Sequence, residues 1–155
     1  MHKIVEALTG DQIAIARMLF EEYAASIGVD LCFQGFAAEL KGLPGAYSPP
    51  GGGIFLALLA EQPVGCVALR PLDTPGVAEL KRLYVRPSGR GQGLGLALTR
   101  RAIERARSAR YHLLRLDTLS TMLNARRLYR GLGFKEIPPY TYNPIPDVTY
   151  MELQL

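Results

Sequence analysis

Histidine and cysteine are scarce in this chain of 155 residues, which contains two of each. Cys32 and Cys66 stand in apolar surroundings without a CxxC spacing, so we interpret them as buried free thiols in a reducing compartment. With so few histidines, a histidine-based metal cluster or a Ser-His-Asp triad has too few candidate residues. We therefore expect no metal site.

Long apolar runs and low-complexity segments are absent from the sequence as well. No apolar stretch is long enough to cross a bilayer, and the N-terminus lacks the charged-then-apolar pattern of a signal peptide. Hydrophobic residues make up 48% of the chain, and its length suits a single domain with a real core. We therefore expect one domain over residues 1–155, located in the cytoplasm and without a membrane partner.

Positive charge is concentrated in one stretch of the chain. Residues 79–135 hold 14 Lys and Arg against three acidic residues, whereas the net charge of the whole chain is only +4. Such a basic region suits either a nucleic acid or a small polyanion such as a nucleotide phosphate. No interleaved aromatic residues or nucleic-acid motifs accompany these arginines, so we favour the small polyanion and expect no nucleic-acid partner.

The order of predicted elements is β-α-α-β-β-β-α-β-α-β-β, which favours a mixed sheet with helices packed on it. Apolar runs predict strands at residues 3–8, 54–60, 64–69, 77–85, 113–118, 134–137 and 148–155. Helical spacing predicts helices at 11–28, 33–40, 93–109 and 121–132. In the first helix Asp11 is the expected N-cap, and the inward residues are Ile15, Met18, Leu19, Phe20 and Tyr23.

Residues 83–95 carry the most informative pattern. Leu83, Tyr84 and Val85 end a predicted strand, and the segment Arg90-Gly91-Gln92-Gly93-Leu94-Gly95 then opens directly into a helix. The backbone N–H groups and the partial positive charge of a helix N-terminus favour a bound phosphate. Glycine lets a ligand approach the backbone closely and tolerates positive φ. We therefore expect a ligand that carries phosphate.

Two familiar phosphate-binding motifs fit this segment poorly. A Walker P-loop needs Lys and then Ser or Thr after the turn, whereas Gly95 is followed by Leu96 and Ala97. A dinucleotide fingerprint needs a third small residue where Leu96 stands, and it opens a parallel βαβ unit. Here three strands of antiparallel type precede the loop, which argues against that fingerprint.

The segment Arg90–Gly95 resembles the Gln/Arg-x-x-Gly-x-Gly/Ala signature of the GNAT superfamily of N-acetyltransferases. A second segment, Asn124–Phe134, resembles the family's Asn-x-x-Ala/Arg-x-x-Leu-Tyr-x-x-x-Gly-Phe helix and the strand after it. Both motifs stand in the family's order. The resemblance implies an α/β fold of α+β type, with a mixed, mostly antiparallel sheet of about six to seven strands flanked by about four helices.

The resemblance also implies that acetyl-CoA is the cofactor. Main-chain N–H groups from Gln92 to Leu96 would bind its pyrophosphate, and the strand end would pair with the pantetheine arm where two strands diverge. Asn124 would contact the pantetheine or an ordered water, unless it only caps its helix. Arg90, Arg126, Arg127 and Arg130 are candidates for the phosphates. The predicted cofactor-binding residues are Leu83, Tyr84, Val85, Arg90, Gly91, Gln92, Gly93, Leu94, Gly95, Leu96, Asn124 and Arg127.

Two side chains are the predicted catalytic residues. Tyr129 matches the family's tyrosine general acid, which protonates the departing thiolate; the alternative is a tyrosine that covers the seam between helix and sheet. Glu79 lies six residues before Val85, so we expect both side chains on one face of the strand. Some family members carry a glutamate at this offset as general base. The alternative is a surface carboxylate paired with Lys81 or Arg82.

The acceptor pocket is expected to be small and partly apolar. By resemblance, it forms from the first helices and the final β-loop-β segment, which contribute Tyr23, Phe33, Gln34, Phe36, Tyr47, Tyr140, Tyr142 and Asn143. The predicted function is transfer of the acetyl group from acetyl-CoA to a primary amine, on a small or amino-acid-like acceptor. A non-catalytic CoA-binding module and a basic nucleic-acid-binding domain are the alternatives. Edge strands make a homodimer plausible.

Overall fold

The structure is a computed structural model that describes residues 2–28, 30–31 and 35–155. Its strands are β1 His2–Glu6, β2 Gly53–Leu59, β3 Gln62–Pro71, β4 Val77–Val85, β5 Leu113–Thr118, β6 Lys135–Ile137 and β7 Thr149–Gln154. Its helices are α1 Gly10–Ile27, α2 Phe36–Lys41, α3 Leu94–Ser108 and α4 Leu123–Gly131. The predicted order of elements is confirmed, and the predicted bounds of β4 and β5 coincide with the observed ones.

The strands form a seven-stranded sheet in the order β1-β2-β3-β4-β5-β7-β6. Every neighbouring pair is antiparallel except β4 and β5, which run parallel. This mixed, mostly antiparallel sheet with four helices confirms the expected fold class. The β4–β5 ladder ends at the pair Glu79↔Arg115, although β4 continues to Val85 and β5 to Thr118. The two strands therefore diverge into a V in the middle of the sheet.

Helices cover both faces of the sheet. On one face, α3 buries its predicted stripe of Leu94, Leu98, Ala102 and Ala106 against β2, β3 and β4. On the other face, α1 buries Ala16, Leu19 and Phe20 against Ile54, Leu56 and Cys66. Cys66 is a buried free cysteine, as predicted, and burial raises the pKa of its thiol. Cys32 lies outside the described residues.

Two expectations for α1 are wrong. Its N-cap is Thr9 and not Asp11, because Thr9 and Gln12 form a reciprocal capping box. The Thr9 hydroxyl accepts from the Gln12 N–H at 3.2 Å, and the Gln12 side chain accepts from the Thr9 N–H at 3.0 Å. Met18 is 41% exposed, since the buried stripe follows Ala16, Leu19 and Phe20 and leaves Met18 on its flank.

A bulge in β4 changes which side chains share a face. The register passes from Ala68↔Lys81 to Cys66↔Tyr84, so β4 advances one residue more than β3, and Arg82 takes φ +62°. Before the bulge Ala78 and Leu80, and after it Leu83 and Val85, pack on the α3 side. Tyr84 packs on the α1 side.

The expectation that Glu79 and Val85 share a face is therefore wrong. The extra residue inserted between them reverses the alternation of the strand. Glu79 faces the α1 and α2 side, where the sheet carries a group of charged residues described below. In the described part of the chain, no helix is both long and apolar enough to cross a membrane.

Candidate active site

The glycine-rich loop forms an open helix start at the end of β4. Gly91 and Gly93 take φ +78° and +74°, a region that glycine enters without strain, and α3 begins directly afterwards. A Cβ placed at either glycine meets no atom within 4 Å, so the space in front of the loop is open. The N-cap residue Gly93 provides no side-chain cap, and the first turn contains no acidic residue.

The first N–H groups of α3 have no intrahelical partner. The Ala97 N–H donates to the Gly93 carbonyl at 3.1 Å, so those of Leu94, Gly95 and Leu96 precede the first intrahelical bond. Donors of this kind fit the pyrophosphate that the predicted residues Gln92–Leu96 would bind. The start of α3 is therefore compatible with binding the pyrophosphate of acetyl-CoA.

The end of β4 presents an unpaired main-chain edge to the V. On one side Tyr84 and Val85 pair with Cys66 and Gly65 of β3. On the other side, among the described residues, no strand pairs with β4 beyond Glu79. The predicted residues Leu83, Tyr84 and Val85 thus lie where an extended ligand has room for main-chain hydrogen bonds.

The four candidate arginines differ in their environments. Arg126 donates to Thr149 Oγ1 at 2.7 Å, and Arg130 pairs with Glu136 at 2.9 Å. Arg90 is exposed and donates through Nε to the Val85 carbonyl at 3.2 Å, and Arg127 is exposed on α4. Arg90 and Arg127 therefore remain the best candidates for the cofactor phosphates.

Asn124 does not cap its helix. It is exposed in the first turn of α4, whose N-cap is Met122, and this helix start has no side-chain cap bond. The capping alternative is therefore wrong, and a contact between Asn124 and the pantetheine stays a prediction.

Tyr129 lies at the boundary between the core and the V. Its side chain is 6% exposed and packs on Phe134, with ring centroids 5.5 Å apart. It also lines a narrow cavity of about 40 Å³ between β4 and β5, opposite Tyr23. Burial raises the pKa of the Tyr129 phenol, and the neighbouring Tyr23 phenol and Asp117 carboxylate raise it further. The phenol is therefore protonated at neutral pH and covers the helix–sheet seam, and its role as general acid stays a prediction.

Glu79 is a buried, fully engaged carboxylate. It is 2% exposed, and its Oε1 accepts from Arg70 Nε at 2.9 Å and from Arg70 Nη2 at 2.8 Å. Its Oε2 accepts from the Tyr140 hydroxyl at 2.6 Å. The alternative of a surface carboxylate is therefore wrong, and a role as general base stays a prediction.

A larger cavity, which we call the charged cavity, lies next to the narrow one and has a volume of about 200 Å³. Thr141 and the 79% exposed Tyr142, from the segment between β6 and β7, form part of its rim. Its charged lining residues are Glu39, Arg70, Glu79, Lys81, Arg82 and Asp117. Lys81, Arg82 and Asp117 line both cavities, so the two adjoin at the V.

The residues predicted for the small, partly apolar acceptor pocket lie in different surroundings, and that pocket stays a prediction. Phe36 packs against the Arg82 guanidinium, whose Cζ lies 5.0 Å from the centroid of the Phe36 ring. Tyr47 is buried in the core and, together with Arg70, borders a further cavity. Phe33 and Gln34 lie outside the described residues. Of the predicted residues in the last loop, Tyr142 lines the charged cavity, while Tyr140 and Asn143 bind its carboxylates.

The sequence analysis did not predict that charged residues line this cavity, although one pattern in the sequence indicates it. Strict alternation in β5 places Arg115 and Asp117 opposite the buried Leu114 and Leu116. Charges that alternate with apolar residues in a central strand indicate a polar space on one face of the sheet.

Residues 17–134 match the acetyltransferase (GNAT) family. The chain belongs to this family. An uncharacterized N-acetyltransferase of Schizosaccharomyces pombe is 45% identical over 141 residues, which cover 90% of this chain and 86% of that protein. The N-acetylaspartate synthetase of Xenopus tropicalis is 33% identical over 105 residues, which cover 68% of this chain and 39% of that protein.

The same fold is found in an acetyltransferase of Salmonella typhimurium that was solved with its cofactor acetyl-CoA. The TM-score is 0.75 at 21% identity, over 99% of this chain and 93% of that one. Family membership identifies this chain as an acetyl-CoA-dependent N-acyltransferase of GNAT type, and it confirms the resemblance seen in the two sequence motifs.

Proposed function

We propose that this enzyme acetylates the primary amine of a small, amino-acid-like acceptor, which binds in the charged cavity. The observation that carries the proposal is the adjoining pair of cavities at the V. One is narrow and lined by Tyr129, and the other is wide enough for a small molecule and lined by charges of both signs. A small acceptor that carries both an amine and a carboxylate complements such a lining.

The relatives support an acceptor of this class. N-acetylaspartate synthetase acts, by its name, on an amino acid with an additional carboxylate, and it aligns with 68% of this chain. Three cations border the charged cavity in this chain: Arg82, which pairs with Glu39, Arg70, which pairs with Glu79, and Lys81. We expect the acceptor's carboxylate to lie beside Arg70 and Lys81.

The cosubstrate would be held by the loop and by the edge of β4. Acetyl-CoA supplies the acetyl group as a thioester. The N–H groups of Gln92–Leu96 would bind its pyrophosphate, Arg90 and Arg127 its remaining phosphate charge, and the main chain of Leu83–Val85 its pantetheine arm. Asn124 would contact the same arm from α4. These contacts would bring the thioester to the V, beside Tyr129.

Tyr129 is proposed as the general acid. Transfer to an amine releases a thiolate, which becomes a neutral thiol once a phenol protonates it. The phenol is protonated at neutral pH and would give up its proton as charge develops on the sulfur. No residue of the chain needs to form a covalent acyl intermediate.

The test is a panel of amines incubated with acetyl-CoA and the purified protein. CoA release gives the rate, and mass spectrometry identifies the acetylated product. The panel contains aspartate, glutamate, neutral and basic amino acids, decarboxylated amines, and peptides with lysine or a free N-terminus. We expect the highest kcat/KM for free amino acids and a large loss for their decarboxylated counterparts. A preference for peptides, or acetyl-CoA binding without any turnover, would contradict the proposal.

A further inference from the structure

We infer that Asp117, and not Glu79, is the carboxylate that holds the acceptor's amine and accepts its proton during transfer. This inference rests on the function proposed above and assigns a role within the same site. Three observations carry it: the place of Asp117 in the divided sheet, the state of the other carboxylates, and the space that Asp117 shares with Tyr129.

Asp117 lies just where β5 leaves β4. The last pair of that ladder is Glu79↔Arg115, and Asp117 follows two residues later on the same face of β5 as Arg115. Leu116 and Thr118, on the opposite face, are buried. The Asp117 side chain therefore stands at the inner end of the V, on the face of the charged cavity.

Asp117 is also the carboxylate that reaches both cavities. Among the described residues, Glu39 and Glu79 line the charged cavity, whereas Asp117 lines that cavity and the narrow one as well. Tyr129 lines the narrow cavity, so a ligand atom at the junction lies between a carboxylate and a phenol. The reaction needs a base within reach of the attacking nitrogen and an acid within reach of the departing sulfur.

The other two carboxylates are already occupied by hydrogen bonds. Glu39 uses both oxygens on Arg82, at 2.7 and 2.9 Å, and Glu79 uses both oxygens on Arg70 and Tyr140. Asp117 is half-buried and accepts a hydrogen bond from Asn143 Nδ2 to its Oδ2, at 3.3 Å. Within the described part of the chain, its Oδ1 accepts none. A ligand N–H therefore finds an acceptor on Asp117 without breaking an ion pair.

The charged and titratable groups around Asp117 come from each element that borders the junction. Lys81 and Arg82 face it from β4, Tyr23 from α1 and Tyr129 from α4. Tyr140 and Tyr150 lie within electrostatic range of it. Two cations and four phenols therefore surround the carboxylate.

The step balances with the groups present. The amine nitrogen forms a bond to the thioester carbonyl carbon, and the carbon–sulfur bond breaks. The departing sulfur takes the proton of the Tyr129 hydroxyl, while the nitrogen gives its proton to Asp117 Oδ1. A proton passed from Asp117 to Tyr129 through water then restores both side chains, because both border the same cavity.

The experiment compares two isosteric variants, Asp117→Asn and Glu79→Gln, using the best acceptor from the amine panel. For Asp117→Asn we expect kcat/KM for the acceptor to fall by about 10²-fold, as is typical for loss of a general base. The acetyl-CoA Kd and the melting temperature should stay unchanged, since Asp117 supports little of the fold. Activity should recover towards high pH, where hydroxide takes the proton of the attacking nitrogen in place of Asp117. Asp117→Glu should retain part of the activity.

Glu79→Gln is the matched control. It removes the same charge from the same cavity but from a carboxylate engaged by Arg70 and Tyr140, so we expect a lower melting temperature and a kcat that changes only a few-fold. If Asp117→Asn keeps wild-type kcat while Glu79→Gln loses it, Glu79 is the base and the inference is overturned. If the wild-type protein binds acetyl-CoA but acetylates no amine, the proposed function fails first, and the inference fails with it.

Discussion

The proposed cofactor side and the proposed acceptor side of this site are built from different parts of the chain. The cofactor side consists of main-chain donors and glycines that are neighbours in sequence, from Leu83 to Leu96, with α4 beside them. The acceptor side consists of side chains from α2, β3, β4, β5 and the segment before β7. Main-chain donors bind a group common to a whole family, whereas side chains gathered from five elements can change with the acceptor.

The strongest way to break this comparison is to place a side chain in the loop. Gly93→Asp adds a Cβ at φ +74° and a negative charge at the start of α3. Backbone strain and charge repulsion together cost about 2–4 kcal/mol, so we expect acetyl-CoA binding to weaken by about 10²-fold or more in calorimetric titration.

Gly10→Asp is the matched control. It adds the same side chain at an exposed helix start, where an added Cβ meets nothing within 4 Å. We expect its acetyl-CoA affinity to equal that of the wild-type protein. If Gly93→Asp also binds acetyl-CoA normally, the cosubstrate does not lie on this loop.

A second variant separates binding from chemistry on the cofactor side. Tyr129→Phe keeps the packing on Phe134 but removes the proton donor, so we expect kcat to fall by about 10²-fold. The acetyl-CoA Kd should change less than about twofold, because the phosphates are held by main-chain donors. Steady-state kinetics and calorimetry on one preparation measure both values. An unchanged kcat would leave the tyrosine with only its packing role.

The two sides also differ in how much of them can be predicted from the sequence. Proline and glycine mark the ends of β4 and the start of α3 within the sequence itself, so the loop and its residues were predictable. Glu79 was harder, because its face relative to Val85 depends on the bulge at Arg82. Arg82 is not glycine, and its φ of +62° is maintained by tertiary contacts such as its ion pair with Glu39 of α2. The bulge therefore cannot be predicted from the local sequence.

The ion pair between Arg70 and Glu79 on the acceptor side should contribute more to the stability of the fold than an ion pair on the surface. Arg70→Met removes both guanidinium bonds from Glu79, which is 2% exposed and keeps only Tyr140. We expect the free energy of unfolding to fall by about 1–3 kcal/mol, somewhat below the cost for a fully buried pair because Arg70 is itself partly exposed. Urea denaturation measures the change, and acetyl-CoA affinity should stay the same.

Arg130→Met provides the comparison on the surface. Arg130 pairs with Glu136 at 2.9 Å, and both side chains are more than half exposed. Loss of this ion pair should therefore lower the free energy of unfolding by less than about 0.5 kcal/mol. Equal losses of stability in the two variants would show that the buried ion pair of Arg70 and Glu79 stabilises the fold no more than an exposed one.

The smallest expected effect concerns stability at high pH. Burial raises the pKa of Tyr129 in the folded protein above its ordinary value of about 10. Below pH 10 the phenol is protonated in both states, so Tyr129→Phe should not change how stability depends on pH. Above pH 10 only the unfolded chain loses that proton, so wild-type stability falls by about 1.4 kcal/mol per pH unit for this group.

Tyr129→Phe should therefore reduce the slope of stability against pH between 10 and 11.5. Urea unfolding at a series of pH values measures both slopes. Identical slopes in wild-type protein and Tyr129→Phe would mean that water reaches the phenol through the V. The narrow cavity would then be a wet passage, and the phenol would exchange protons directly with solvent.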